Sequence, residues 1–302
     1  MLNPDSLVER SKLRSQVSVW RAASFIILIL SAILVFASSN DLKKIKPEKP
    51  FIARISVDSI IVEDQERTDI LKELAENKSV KAVIMHINSP GGTAVGGEEL
   101  YKALKELNKK KPVIAVMDSL AASAAYLISL GAEHTFAHNG TITGSIGVIM
   151  EIPNVKEAAD KLGLKFDYIR TSPIKGSPTM FEPKNEKAFA TLDVMMQDFY
   201  KYFVATVAQE RNFTPEQALA LSDGRVFSGI AAVQNRLVDE IGGEPEAIKW
   251  LVANKKLDKD IKVEEVKLSK PKKPFEELLG SLSENLGIKA LFNRLNFRGL
   301  FL

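Results

Sequence analysis

Residues 22–38 read Ala-Ala-Ser-Phe-Ile-Ile-Leu-Ile-Leu-Ser-Ala-Ile-Leu-Val-Phe-Ala-Ser, without a charge and with nothing more polar than small serines. A helix rising about 1.5 Å per residue over that length just spans a bilayer core of roughly 30 Å. A buried helix of a soluble domain keeps a polar stripe, so the pattern predicts a transmembrane segment. From Phe51 the pattern changes to short apolar runs alternating with helical spacing. Phe51–Val57, Val80–Ile87, Pro112–Met117, 133–137, 146–150 and 165–169 read as strands. The stretches 66–77, 94–110, Ala121–Leu130, 154–162 and 184–211 read as helices. Strands rich in β-branched residues alternating with helices predict an α/β fold with a largely parallel sheet and flanking helices. Thr214-Pro215-Glu216 reads as a helix cap followed by proline at the first helical position.

These patterns divide the chain into a tail (1–21), the apolar span (22–38), a linker containing Pro47 and Pro50 (39–50), a folded domain (51–255) and a last segment (256–302). About 200 residues is a size that one domain holds. The last segment begins with a run rich in Lys, Asp and Glu, expected as a solvated connector. It ends in an apolar, cationic, amphipathic tail, Leu291–Leu302. The small residues at Phe36-Ala37-Ser38-Ser39 would suit a signal-peptide cut. The apolar run, however, exceeds the usual 7–15 residues and about 20 residues precede it, which favours an uncleaved signal anchor. Arg10, Lys12, Arg14 and Arg21 before the span are balanced by Lys43, Lys44, Lys46 and Lys49 after it, so flanking charge does not orient it.

Composition changes the picture mainly by exclusion. The 302 residues are 45% hydrophobic and 26% charged with a net charge of +3, the balance of a folded protein. A nucleic-acid-binding protein usually shows a strong basic excess. The absence of cysteine excludes disulfides, cysteine-based zinc sites and a thiol nucleophile. Three histidines, His86, His134 and His138, leave little material for a metal centre, and neither metal nor cofactor is expected.

Two stretches carry candidate chemistry. In Asn88-Ser89-Pro90-Gly91-Gly92, a glycine pair after a strand lets backbone N–H groups approach a phosphate or a developing oxyanion, though a plain turn has the same composition. No Gly-Lys-Ser/Thr follows, so it is not a nucleotide P-loop. In Asp118-Ser119-Leu120-Ala121-Ala122-Ser123-Ala124-Ala125-Tyr126 a strand runs into a helix through small residues. Ser123 there is either an N-cap or a hydroxyl held above the sheet edge with the Ala124 N–H free beside it. On adjacent parallel strands, Gly91 or Gly92 and Ala124 would form an oxyanion hole beside a nucleophile. A serine nucleophile needs a base. His134 and His138 follow it closely, and Lys175 sits in the proline-flanked loop Thr171–Pro178. The residues by themselves leave histidine and lysine both open.

Asn88–Gly92, Ala121-Ala-Ser-Ala-Ala-Tyr126, Thr143-Gly-Ser-Ile-Gly-Val148, the Lys175 loop, Phe227-Ser-Gly-Ile-Ala-Ala-Val and Leu237-Val-Asp-Glu-Ile-Gly-Gly243 stand in an order and spacing similar to the signal peptide peptidase A family, the S49 serine peptidases. The resemblance covers roughly residues 50–250. It implies a fold like those of Clp peptidases and crotonases, placed after an N-terminal membrane anchor. It implies a Ser–Lys dyad, with Ser123 as nucleophile, Lys175 as general base and Ser145 orienting the lysine, and Gly91, Gly92 and Ala124 around the oxyanion. It further implies a single-pass protein of the bacterial cytoplasmic membrane with residues 1–21 cytoplasmic and the catalytic domain outside. The implied substrates are remnant signal peptides or other unfolded apolar peptides, and the implied assembly is a homo-oligomer, an octamer with Ser and Lys from neighbouring subunits. This chain departs from the family in having Ala124-Ala125 where Gly-Gly is common, Gly176-Ser177-Pro178 where the lysine is commonly followed by Asp, and Arg236 where many members have Gly. Lys165 and Lys184 are the alternative lysines. An inactive membrane scaffold of the same fold, or a crotonase-like acyl-CoA enzyme, are the competing functions.

Overall fold

The computed structural model describes residues 20–21, 24–29 and 49–268. The chain divides into two units, Met1–Lys49 and Pro50–Leu302. In the first, residues 20–21 and 24–29 are helical. The rest of the expected anchor at 22–38 and the tail Leu291–Leu302 lie outside the described residues. Among the described residues no helix is long and apolar enough to cross a membrane.

The second unit is built on one eight-stranded sheet. Its elements run β1 (Phe51–Asp58), α1 (Gln65–Glu76), β2 (Val80–Ser89), α2 (Ala94–Lys110), β3 (Val113–Ala122), α3 (Ala124–Ser129), β4 (His134–Ala137), β5 (Ile142–Gly144), α4 (Lys156–Lys161), α5 (Glu186–Glu210), α6 (Pro215–Ala220), β6 (Val226–Ser228), α7 (Gly229–Gln234), β7 (Glu240–Ile241), α8 (Glu244–Lys255) and β8 (Lys262–Glu265). The sheet order is β6-β5-β3-β2-β1-β8, with β4 paired to β3 and β7 to β4. Every ladder is parallel except β5–β6. Strand alternation sorts the core. Val83, Met85 and Ile87 of β2 face a large cluster with Leu100, Leu104, Tyr126 and Leu127. Ala82 and Ile84 face a smaller one closed by Ala247 and Leu251 of α8.

Three expectations are corrected. Strand β3 continues through Asp118-Ser119-Leu120 to Ala122, so α3 begins at Ala124, three residues after the expected Ala121. The polar residues fit a strand here because β3 bends: its first half pairs with β4 and its end with β5, and its register with β2 shifts between Ile87 and Ser89. The strand expected at 146–150 is replaced by Ile142–Gly144, and residues 165–169 are not paired in a strand. The charged stretch expected to be a solvated connector contributes β8, whose Lys262–Glu265 pair with Phe51–Arg54 at the sheet edge, where alternate side chains reach water.

Candidate active site

Ser123 occupies the N-cap position of α3, yet its side chain caps nothing, and its backbone holds φ 55° and ψ −123°. A non-glycine residue at positive φ costs energy that the surrounding structure must offset, and such outliers gather at functional sites. The restraints are visible. Ser123 N–H donates to Gly144 O of β5 (2.8 Å), and Leu127 N–H donates to Ser123 O (3.0 Å). This rules out the ordinary capping serine as the reason for Ser123. The hydroxyl is half-buried and left without a hydrogen-bond partner among the described residues.

The glycine loop lies directly against it. Gly91 holds φ +109°, and a Cβ there would come within 2.8 Å of Ser123 Cβ and 3.0 Å of Ala124 N. Gly92 is pressed on Ile61, where a Cβ would stand 1.7 Å from Ile61 O. Gly91 O accepts from Ile61 N–H (2.8 Å) and Thr93 N–H donates to Ile61 O (2.9 Å), so a short parallel bridge holds the loop at both sides. Gly91 N–H is already committed to Ser89 Oγ (3.1 Å). Gly92 and Ala124 keep N–H groups with no acceptor among the described residues, the latter as the first donor of a helix. Gly91 therefore serves the loop by its shape and Gly92 by its donor.

Beside Ser123 a cavity of about 280 Å³ is lined by Leu127 of α3, Val148 and Met150, and Met195, Phe199 and Phe203 of α5. Among the described residues, Glu98 is the one charged residue on its wall. The sequence shows α5 as a helix but gives no sign of which face lines the site. A larger polar cavity of about 360 Å³ lies elsewhere, around the Arg211–Asp239 ion pair. Asp239 also accepts from Thr135 N–H (2.8 Å), so the Leu237-Val-Asp239 motif ties the end of α5, through Arg211, to β4. Arg236 holds φ +60° there, the left-handed region in which a glycine would be unstrained, and its guanidinium lies 5.0 Å from the centre of the Phe213 ring.

No histidine lines this cavity. His86 is held between Asp118 (3.2 Å) and Glu244 (2.8 Å), and Arg54 pairs with the same Glu244. Those partners, chiefly Arg54, hold the Glu244 carboxyl below the usual range against the opposing effect of burial. His134 stacks on Trp250, with ring centres 4.8 Å apart. His138 is exposed.

Ser145 follows Gly144, the residue that accepts from Ser123. It also holds positive φ (50°), donates its N–H to Arg225 O (2.9 Å) and is half-buried. Lys175 is not brought to this site by its own chain. It is exposed at the tip of a tight turn and does not line the cavity. The two alternatives, Lys165 and Lys184, are exposed as well. Across 151–184 only Ala159 is buried. Thus Ser123, Gly91, Gly92 and Ala124 come together, Ser145 stands close by in sequence to their anchor, and Lys175 stands apart.

The model of peptidase family S49 matches residues 105–258. A "Putative protease slr0021" of Synechocystis sp. is 36% identical over 245 residues, covering 78% of this chain and 88% of that protein. The chain belongs to peptidase family S49. The family assignment makes it a peptidase, of the serine type by family. A second model, Clp protease, matches residues 55–141, in line with the parallel sheet. Two further S49 relatives are similar. A "Putative signal peptide peptidase SppA" of Enterococcus faecium is 34% identical over 188 residues, 62% of this chain and 55% of that one. A "Protease 4" of Haemophilus influenzae is 35% identical over 215 residues, 65% of this chain and 34% of that one. The chain thus spans most of the first relative and about half or a third of the others.

Proposed function

We propose that this chain is a membrane-anchored serine endopeptidase in which Ser123 attacks a peptide carbonyl and Lys175 of a neighbouring copy takes its proton. The observation that carries this reading is the strained, uncapping Ser123 with free Gly92 and Ala124 N–H groups beside an apolar cavity. The tetrahedral oxyanion would accept from those two N–H groups. The protonated lysine then gives its proton to the leaving amine, and water hydrolyses the acyl-enzyme. Ser145 would orient the amine.

The lysine reaches the site from outside the chain because the arm that carries it lies open. Phe166, Tyr168, Ile169 and Ile174 all expose large apolar side chains around it. Surfaces of that kind are covered by partners, and a second copy would cover this one, forming a ring-like homo-oligomer. A lysine acts as base only as the neutral amine, which desolvation favours, so burial beneath a neighbour would also prepare it. The apolar cavity suits remnant signal peptides or other extended apolar segments. Residues 22–38 would hold the domain at the bacterial cytoplasmic membrane, on its outer side.

Mixing two inactive proteins tests this reading. Ser123→Ala and Lys175→Ala should each lose peptide hydrolysis and fluorophosphonate labelling of Ser123. Co-assembled, they should regain activity, because some interfaces pair an intact Ser123 with an intact Lys175. An active Lys175→Ala protein would sink the dyad. An unlabelled Ser123 in the assembled full-length chain would favour the inactive scaffold.

A further inference from the structure

The turn that presents Lys175 is open to solvent but closely bonded from below. Lys175 N–H donates to Ser172 O (3.2 Å) and Ser177 N–H to Ile174 O (3.1 Å), so two successive tight turns carry the exposed lysine. Glu182 gathers both ends of the turn. Arg170, on the entering side, pairs with its carboxylate through Nη1 (2.8 Å). Thr179 N–H, on the leaving side, donates to Oε1 (2.8 Å). The Ser177 hydroxyl, with Arg170 and the Thr179 N–H, holds this carboxylate below the usual range against the opposing effect of burial. Asn185 completes the cradle, donating through Nδ2 to Pro173 O and to Ser177 Oγ (both 3.1 Å). The Tyr168 and Thr179 hydroxyls bond across the neck (3.0 Å), and Phe166 stacks on Phe181 with ring centres 4.0 Å apart. Arg170 has a second nitrogen, Nη2, that is buried without an acceptor among the described residues.

We propose that Glu182 is the positioning residue for Lys175, clamping the two sides of its turn through Arg170 and Thr179, with Asn185, bonded to Pro173 and Ser177, as the second support. This rests on the reading of Lys175 as the general base. A base displaced by about 1 Å can cost roughly 10²-fold in rate, and a flexible exposed turn would place an amine no better than that. This chain has Gly176-Ser177-Pro178 after the lysine. Glu182 supplies from seven residues downstream the carboxylate that bonds the turn. It acts on the geometry of the turn, not on the reacting atoms.

The test uses the full-length assembled protein, an apolar peptide substrate, and three variants beside Lys175→Ala. Glu182→Gln keeps the size of the side chain but loses the ion pair with Arg170. Its kcat should fall about 10- to 100-fold with KM changed less than about threefold. The double variant Arg170→Met/Glu182→Gln removes the stranded guanidinium. It should recover melting temperature without recovering kcat. Asn185→Asp keeps the oxygen that caps α5 through Ala188 N–H but loses both donors to the turn, and its kcat should fall in the same direction by a smaller factor. Should Glu182→Gln not fold, Asn185→Asp carries the test alone. An unchanged kcat in the folded variants, a fall carried by KM instead of kcat, or a double variant that regains kcat together with melting temperature, would overturn the positioning role. An active Lys175→Ala would instead overturn the reading beneath it, and the positioning role with it.

Discussion

The end of β3 and the arm at 151–184 carry the two halves of one proposed reaction, and they are built in opposite ways. Around Ser123 the backbone is over-determined. Gly144, Gly91 and Ile61 fix it by main-chain bonds and close contact, and the neighbouring side chains are buried. Around Lys175 almost nothing is buried, and order comes from polar contacts of the arm with itself and with Asn185, and from the Phe166–Phe181 stack. A strained nucleophile needs a core to hold it. A base that must meet that nucleophile from another subunit has to stay outside any core of its own. On the proposed reading, that difference leaves a single chain with both oxyanion donors in place and its lysine elsewhere.

The largest expected break falls on the rigid side. Ser123→Ala should lower kcat by roughly 10⁴-fold or more, read against an apolar peptide, with the fold unchanged by circular dichroism. Gly92→Ala comes next. Its Cβ has no room against Ile61 O, so the loop must move and take a donor with it, costing about 10²–10³-fold in kcat. On the arm side, Ile169→Asp should disperse the assembly, seen as a lower mass in light scattering. Activity should fall with it, while the melting temperature of the domain stays within a few degrees. If activity survives in a monomer, the contrast between the two regions is wrong. Phe199→Ala should enlarge the cavity and shift preference toward bulkier apolar side chains by about tenfold in relative kcat/KM, leaving the rate on the best substrate of moderate size.

The smallest effect lies away from both regions. Glu244 is held below its ordinary range by Arg54 and His86. A depressed carboxylate contributes stability that is present above its unfolded value of about 4.3 and is lost as pH falls through the folded one. Glu244→Gln should therefore lower stability near neutral pH by about 1 kcal/mol, a figure kept small because Arg54 is more than a third exposed. The gap from the parent protein should narrow below about pH 4. An equal gap at every pH would show that packing, not charge, holds α8 there.

Legibility followed the same division. Strands β1 and β2 were readable as short, mostly apolar runs broken only by single polar residues such as Arg54, Ser56 and Lys81, and helix α2 from its apolar spacing and terminal lysines. Thr214 caps α6 with Pro215 behind it, as its sequence says. Residues 165–169 have the composition of a strand but find no ladder in one chain. Val148 and Met150 are apolar because they line the cavity, and the neighbouring strand is three residues farther back. The short, charged β8 had no apolar signal, since an edge strand keeps one side in water.

The sequence by itself determined the α/β class, the charge-free segment before the domain, the exclusion of a thiol nucleophile, and the family through its ordered motifs. These are properties of local pattern and of residue type. Only the tertiary structure decided that Ser123 is strained and does not cap, that Gly92 and not Gly91 keeps a free N–H, that the histidines serve other contacts, and that Lys175 stands on an exposed, self-bonded arm. The strain at Ser123 and the contacts of the histidines are set by strands and helices far apart in the chain, while the Gly91–Ser89 bond and the Lys175 turn are local but depend on backbone geometry that residue type does not show.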